Sequence, residues 1–114
     1  MLDTDHGPNR PGGCNTCYGA IDIQTDYKTM TRNSHYYTIG HLAKVIAPGA
    51  KRIATTGYKA TGLYYAAFSN PDASYAVVLQ NDTDKPMSVT MAQGSHTFTF
   101  EIPAKAVVSG KWKN

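Results

Sequence analysis

The sequence predicts a mainly β protein with one helix, arranged as an antiparallel β-sandwich. From residue 50 onward, apolar and polar residues alternate with a period of two through six short segments, which is typical of half-buried strands. Turn-forming residues separate these segments, and helical spacing occurs in one stretch, residues 35–46. The chain has 114 residues, of which 41% are hydrophobic and 17% charged, enough for one folded domain with a modest core.

Residues 1–34 are predicted to form a long loop. Gly7-Pro8 and Pro11-Gly12-Gly13 interrupt any periodicity, and residues 20–23 alone alternate as an extended segment would. A structureless stretch of this length is uncommon in a compact domain and is usually functional or removed from its context.

Residues 35–46 are predicted to be a helix that begins after an N-cap at Asn33 or Ser34 and ends at Pro48-Gly49. Gly40 costs about 1 kcal/mol relative to Ala within a helix, so we expect a close backbone contact there. Apolar residues three and four apart form one stripe, which consists of Tyr36, Ile39, Leu42, Ala43 and Ile46.

The period-two region is expected to form an antiparallel meander with one buried face. Its firmest element is a hairpin about Gly94, because Phe98, Phe100 and Ile102 share one face and match the apolar alternation before the turn. The six predicted strands are residues 51–58, 62–69, 74–81, 87–91, 96–102 and 105–112.

Cys14 and Cys17 form a Cys-x-x-Cys pair, which has three interpretations. A zinc site would need a second pair of Cys or His ligands, which the sequence does not supply in the usual spacing. A redox pair should follow a strand and open a helix, whereas here a Gly-rich loop precedes the pair. A loop staple or a pair of buried thiols is the simplest interpretation.

The acidic residues limit the chemistry that this chain can perform. It has eight carboxylates, and Glu101 is its single glutamate, so a site built on two glutamates is excluded within these residues. Glu101 falls on the polar face of its strand and is expected to be exposed. The eleven basic residues are scattered, which does not favour a nucleic-acid surface. No apolar run approaches the roughly 20 residues that span a bilayer, and the N-terminus lacks the pattern of a signal peptide.

Three blocks of the sequence resemble glycoside hydrolase family 30, the glucosylceramidase and β-1,6-glucanase family. Residues 1–9, Met-Leu-Asp-Thr-Asp-His-Gly-Pro-Asn, are similar to its Leu-Asp-x-x-Gly-Gly-Pro-Asn segment, although His6 stands where the family usually has Gly. Residues 13–19 resemble the Gly-Cys-x-x-Cys-x-Gly stretch of its bacterial members. Residues 36–53 match Tyr-Tyr-x-x-Gly-His-x-x-Lys-x-Ile-x-Pro-Gly-x-x-Arg-Ile nearly throughout.

The resemblance implies the C-terminal end of a (β/α)₈ barrel joined to a β-sandwich side domain. Residues 1–34 would be the end of the last barrel strand and a loop at the barrel mouth, residues 35–47 the last barrel helix, and residues 48–114 the sandwich. Such enzymes are retaining β-glycosidases, and both of their catalytic glutamates would precede Met1, so this chain alone would be inactive. No cofactor or metal is implied. The partners would be a β-linked glucan or glycolipid and the catalytic barrel, in a secreted, periplasmic or cell-surface protein.

The mouth loop is where the resemblance places residues nearest a sugar, and Asn9, Asn15 and Tyr18 are the candidates. Gly40, His41 and Lys44 are interpreted as structural: a close helix contact, a hydrogen-bonded interior histidine and a surface cation. No catalytic residue is assigned.

Two other hypotheses remain. An autonomous β-sandwich module that binds carbohydrate or protein would use exposed aromatic residues, for which the candidates are Tyr58, Tyr64, Tyr65, Tyr75 and Trp112. A small metal or redox protein would use Cys14 and Cys17.

Overall fold

The strands of the described residues form three sheets, and the chain divides into two units, residues 1–40 and 41–114. The structure, a computed structural model, describes residues 2–3, 19–57 and 59–113. The helix, α1 (Ser34–Val45), spans the boundary between the units. The mainly β class with one helix is confirmed in these residues.

The first unit contains more strand than the sequence predicts. β2 (Ile21–Ile23) lies between β1 (Leu2–Asp3), which runs parallel to it, and β3 (Met30–Arg32), which runs antiparallel. Describing residues 1–34 as a loop with one extended segment is therefore wrong for β1 and β3. Two or three residues are too few to show a period, so the pairing of the backbone, and not the side-chain pattern, defines these strands.

Asp26 organises the turn between β2 and β3. Its carboxylate accepts hydrogen bonds from the backbone N–H groups of Lys28 at 2.8 Å and Thr29 at 2.9 Å. The hydroxyl of Thr29 donates a third hydrogen bond to the same carboxylate, at 2.8 Å. These hydrogen bonds, with the backbone N–H of Thr29 first, hold the pKa of Asp26 below its usual value.

Helix α1 (Ser34–Val45) begins and ends one residue before the predicted helix. Asn33 occupies the N-cap position, and its carbonyl accepts the N–H of Tyr36 at 3.0 Å. The expected close contact at Gly40 is wrong for the described residues, because a Cβ built there would meet nothing within 4 Å. The apolar stripe is largely exposed: Ile39 is 58% and Leu42 is 40% accessible to solvent.

The second unit contains a four-stranded antiparallel sheet in the order β4 (Lys51–Ile53), β5 (Leu63–Ser69), β6 (Ser74–Asn81), β9 (Val107–Lys113). A separate hairpin joins β7 (Met87–Gln93) to β8 (His96–Ile102), and Gly94 takes a φ of 59° at its turn. The predicted bounds of β6 and β8 are correct at both ends. β4 is shorter than predicted and ends at Ile53.

The predicted meander is wrong at two connections, β6 to β7 and β8 to β9, because the strands at each connection do not pair with each other. β9 pairs with β6, from Ser74 opposite Lys113 to Gln80 opposite Val107, and it does not pair with β8. The hairpin instead lies over the sheet as a second layer. Its inward residues Val89, Met91 and Phe100 pack against a fully buried cluster of Val77, Leu79 and Ile102. Stacking two apolar faces buries more surface than a single-layer meander would, because a flat meander leaves one apolar face in water.

Asn81 is a buried joint between the two layers. Its side-chain amide donates to the carbonyls of Lys85 at 2.7 Å, Pro103 at 3.0 Å and Ile102 at 3.2 Å. Its side-chain oxygen accepts the N–H of Thr83 at 2.9 Å. Asn81 therefore fixes the chain where it leaves β6 and where it returns towards β9.

Asn70 joins the end of α1 to the turn after β5. Its side-chain oxygen accepts the N–H of Ala47 at 2.9 Å, and its amide donates to the carbonyl of Val45 at 3.0 Å and to the hydroxyl of Ser74 at 2.9 Å. Asn70 is only 4% exposed. The side chain thereby satisfies backbone groups that the helix terminus leaves free.

Candidate functional site

The candidate sugar-adjacent residues Asn9, Asn15 and Tyr18 lie outside the described residues, as do Cys14 and Cys17. Their assignments therefore stay predictions. Among the residues that the structure describes, no group of three or more His, Cys, Asp or Glu side chains could hold a metal ion.

Glu101 lies on the outward face of β8, opposite Ser88, and is exposed. Its neighbours Phe100 and Ile102 point inward. The predicted alternation along this strand is therefore confirmed, and it holds the single glutamate away from the interior.

The second half of α1 has polar contacts with the sandwich at His41 and at Val45, whose carbonyl accepts a hydrogen bond from Asn70. The ring Nδ1 of His41 lies 3.0 Å from the hydroxyl of Ser109 on β9, which confirms the predicted hydrogen-bonded histidine. Lys44 is exposed in the last turn, as expected for a surface cation, and its charge is favourable beside the carbonyl end of a helix. In the part of the chain that the structure describes, no helix is long and apolar enough to cross a membrane.

The aromatic residues proposed for a binding module divide unevenly between surface and interior. Tyr64 is 59% exposed on the outer face of β5. Tyr65 and Trp112 instead pack against the core, and Tyr75 stacks on Trp112 with ring centres 6.1 Å apart. Tyr58 lies outside the described residues.

Trp112 is held in place by contacts from the hairpin. The indole N–H donates to the side-chain oxygen of Gln93 at 2.8 Å, and the ring lies 4.9 Å from that of Phe98. Since a buried indole N–H needs an acceptor, Gln93 allows Trp112 to close one end of the interior. This ring is therefore part of the packing between the layers.

An apolar groove of about 880 Å³ lies between β5 and β7 in the second unit. The groove lies beside the hairpin and is bordered on the far side by β4 and the segment after it. Its lining consists of Ile53, Ala54, Thr55, Thr56, Gly57, Ala60, Leu63, Tyr65, Ala67, Tyr75, Leu79, Met87, Ser88, Val89, Thr90, Met91, Ala92, Gln93 and Trp112.

The groove is suited to apolar packing and not to acid–base chemistry. Among the described residues its lining contains no Asp, Glu, His, Lys or Arg side chain, so none of these side chains is available there to exchange protons with a reacting sugar at neutral pH. None of the predicted sugar-adjacent residues is among the described residues that line the groove, so those sequence-based predictions do not indicate the groove. The groove depends on how far the hairpin covers the sheet, which no local pattern encodes.

Residues 49–110 match the family model described as the glycosyl hydrolase family 30 beta sandwich domain. The matched residues include both layers of the second unit, from the turn before β4 into β9.

Several known proteins are similar to nearly the whole chain. An endo-1,6-beta-D-glucanase of Aspergillus fumigatus is 34% identical over 104 residues, which are 86% of this chain and 21% of that protein. The lysosomal acid glucosylceramidase of Mus musculus is 28% identical over 113 residues, 98% of this chain and 22% of that protein. Among solved structures, the endo-β1,6-glucanase BT3312 is 53% identical with a TM-score of 0.90, and the match covers 100% of this chain and 26% of that one. The chain therefore spans about a quarter or less of the relatives it matches.

Proposed function

Because the chain belongs to glycoside hydrolase family 30, we propose that it is the β-sandwich part of a longer retaining β-glycosidase whose catalytic glutamates lie outside these 114 residues. The observation that carries this proposal is the family match over residues 49–110, which covers both layers of the sandwich. The substrate of the intact enzyme would be a β-linked glucan or a glycolipid, in keeping with the glucanase and glucosylceramidase relatives.

The proposed reaction needs two catalytic carboxyl groups, and this chain has only one glutamate, Glu101. A retaining glycosidase uses two carboxyl groups about 5–5.5 Å apart, one as nucleophile and one as acid and base. Glu101 is a single glutamate on an outward strand face, so it cannot provide that pair. The role of residues 41–114 is therefore structural support.

The exposed stripe of α1 supports the interpretation of this helix as a barrel helix. Ile39 and Leu42 lie on one face at a spacing of three, and both are exposed. A helix of a (β/α)₈ barrel buries such a face against the barrel strands. We therefore expect this stripe to be covered in the complete enzyme, and the mouth loop with Asn9, Asn15 and Tyr18 to lie near the sugar. The complete enzyme would act outside the cytoplasm, as a secreted, periplasmic or cell-surface protein.

The autonomous binding module has weaker support. A sugar-binding platform needs exposed, adjacent aromatic rings, and of the four described candidates Tyr64 alone has an exposure above a half. Tyr65, Tyr75 and Trp112 are partly buried and line the groove. An isolated ring on an outer sheet face is an ordinary surface feature.

The test compares the complete natural protein with the 114-residue chain on β-1,6-linked glucan oligosaccharides and on glucosylceramide. We expect turnover by the complete protein, none by the chain alone, and unchanged turnover in the complete protein that carries Glu101→Gln. Turnover by the isolated chain that Glu101→Gln abolishes would overturn the proposal. Binding of the isolated chain to a glycan, lost in Tyr64→Ala, would support the module instead.

A further inference from the structure

We propose that Tyr27, in the turn between β2 and β3, contacts the bound substrate at a sugar unit away from the cleaved bond. This inference rests on the proposed function, because it takes β1 as the end of the last barrel strand. It goes further in two respects. The substrate is a glucan chain that extends beyond the unit being hydrolysed, and the Tyr27 ring is the surface on which a distant unit stacks.

Tyr27 has a backbone conformation that residues with a side chain rarely adopt. Its φ of 53° lies in the left-handed region, where glycine is the usual residue. Ala73 and Lys105 are the other described non-glycine residues with a positive φ. Ala73 has a minimal side chain, and the Lys105 ammonium donates to the carbonyl of Asp82 at 2.9 Å. Neither explanation applies to Tyr27, and strained positions of this kind concentrate at functional sites.

The Tyr27 side chain is exposed although the turn that carries it is well ordered. It is 80% exposed, the largest value among the exposed large apolar side chains of the described residues. The N–H of Tyr27 donates to the carbonyl of Gln24 at 2.9 Å, and the N–H of Gln24 donates to the carbonyl of Thr29 at 2.9 Å. Together with the hydrogen bonds of the Asp26 carboxylate, these contacts fix the backbone of the turn. A ring on a fixed backbone loses little conformational freedom when it binds a ligand.

The register of the first sheet places this turn at the end where β1 leaves the sheet. β1 and β2 run parallel, and Asp3 lies opposite Ile23, so both strands end at the same level. Beyond that level, β1 continues into the predicted mouth loop and β2 continues into the turn at residues 24–29. The substrate of a (β/α)₈ barrel binds at the C-terminal ends of its strands. With β1 as the end of a barrel strand, Tyr27 therefore lies on the substrate side.

The turn follows β2 and not β1, so it is displaced from the barrel strand by one strand spacing, ~4.8 Å. This displacement is the reason for assigning Tyr27 to a distant sugar unit and the mouth loop to the reacting one. Tyr27 is accordingly a positioning residue. A contact far from the reacting atoms is equally strong in the ground state and the transition state, so its loss raises KM and leaves kcat unchanged.

The area and surroundings of the ring favour a sugar over other partners. A tyrosine combines an apolar ring face with a polar tip, which suits the C–H face and the hydroxyls of a sugar unit. One ring offers about 150–250 Å² of contact, whereas a stable protein interface needs ~800 Å² on each side. A lipid surface would require several apolar side chains together, but the neighbours of Tyr27 in the turn are Asp26 and Lys28.

The experiment measures steady-state kinetics of the complete natural protein on β-1,6-linked oligosaccharides of increasing length and on an aryl β-glucoside with one sugar unit. Tyr27→Ala should raise KM on the long oligosaccharides by about two- to tenfold, the range for one aromatic contact. Its kcat, and both constants on the aryl glucoside, should not change. Tyr27→Phe keeps the ring and should restore KM. The matched control is Thr25→Ala, at an exposed residue of the same turn, which should leave KM unchanged.

The variant Tyr27→Gly separates binding from folding. Because glycine adopts a positive φ without strain, this variant should not lower the Tm of the complete protein, although it should raise KM as Tyr27→Ala does. A lower Tm in both variants would mean that the ring packs against the barrel, and it would overturn the proposal. So would an unchanged KM on the longest oligosaccharide, or binding to phosphatidylcholine vesicles that Tyr27→Ala abolishes.

Failure of this inference is distinguishable from failure of the proposed function. Retardation of the complete protein in a gel that contains β-1,6-glucan reports binding without cleavage. Retardation that Tyr27→Ala weakens, in a protein without turnover, would retain the contact and refute the proposed glycosidase. Turnover with the same retardation and KM in Tyr27→Ala would retain the glycosidase and refute the contact.

Discussion

The two halves of the four-stranded sheet have similar inward sequences but different surroundings. On the covered half, β6 and β9 lie under the hairpin, and Val77 and Leu79 are excluded from solvent. On the open half, Ile53 and Tyr65 border a groove of about 880 Å³. Both halves present apolar residues at alternate positions, so the difference arises from the opposite layer and not from the strand itself.

An alternating pattern therefore identifies the inner face of a strand but does not indicate whether another layer covers that face. The stabilisation from an apolar side chain depends on the area that folding removes from water. The free energy of unfolding of this chain should therefore be concentrated in the covered half.

Substitutions to alanine in the two halves test this concentration and should give the largest effect. Leu79→Ala, under the hairpin, should lower the free energy of unfolding by about 2–5 kcal/mol through lost burial and an added cavity. Ile53→Ala, beside the groove, should cost less than about half as much in the same chain. Denaturant titration followed by circular dichroism measures both. Equal losses would contradict the distinction between the halves.

The next largest loss of stability is expected on substitution of Asn81, because its side chain links the end of β6 to the segments that flank the hairpin. Asn81→Ala removes the side chain that bonds the carbonyls of Lys85 and Pro103. Leaving such buried groups without partners should destabilise the fold by about 1–3 kcal/mol. The neighbouring exposed residue provides the control, and Gln80→Ala should change stability by less than about 0.5 kcal/mol. Equal changes in the free energy of unfolding for the two variants would contradict this role of Asn81.

The contact between the layers is tight at Gly110, and this tightness can be tested by adding one methyl group. A Cβ at Gly110 would lie 2.9 Å from the Phe100 ring on the hairpin, so Gly110→Ala should cost about 1–3 kcal/mol through overpacking. Thermal unfolding gives the measurement. A Tm equal to that of the unsubstituted chain would contradict this tight contact, because it would mean that the hairpin can move away from Gly110 without loss of stability.

Acid pH should weaken the turn that leads into β6. The hydroxyl and then the backbone N–H of Ser74 donate to the carboxylate of Asp72, and Lys111 lies 3.4 Å away, which lowers the pKa of Asp72 from 3.8 to about 2. Since the folded pKa is depressed, this stabilisation is present above about pH 4 and is lost as the pH falls towards 2. Denaturant titration from pH 5 to 2 should show a smaller loss in Asp72→Asn than in the unsubstituted chain. Identical losses would exclude this contribution.

The smallest effect is expected at Glu101, on the outward face of the hairpin. Glu101→Gln should change the free energy of unfolding by less than about 0.5 kcal/mol, because the side chain is exposed. Chemical denaturation is again the measurement. A large loss would mean that the outward face of β8 is covered in solution.

Local patterns were sufficient where a strand is long and has one buried face. The alternation in residues 74–81 and 96–102 predicts the bounds of β6 and β8 correctly, and the apolar match about Gly94 predicts the hairpin. The same reasoning missed β1 and β3, since strands of two and three residues show no period. It also extended β4 past Ile53 into residues 54–57, which border the groove instead.

The candidate site was less accessible to such reasoning. The family blocks direct attention to the mouth loop with Asn9, Asn15 and Tyr18, which lies outside the described residues. The groove, in contrast, is built from β4, β5 and β7, which are distant in sequence. The hydrogen bonds of Asn70 and Asn81 have no local signature, because their partners Val45 and Pro103 are 25 and 22 residues away.

The class of this protein, its family and the absence of a second glutamate from these 114 residues follow from the sequence alone. Side-chain periodicity and motif spacing are local properties, so they can be read without knowing which strands meet. The tertiary structure decided that β9 returns to β6, that the hairpin covers half of the sheet, and that the other half stays open. These outcomes depend on how two apolar faces bury each other, which is settled only when distant segments pack together.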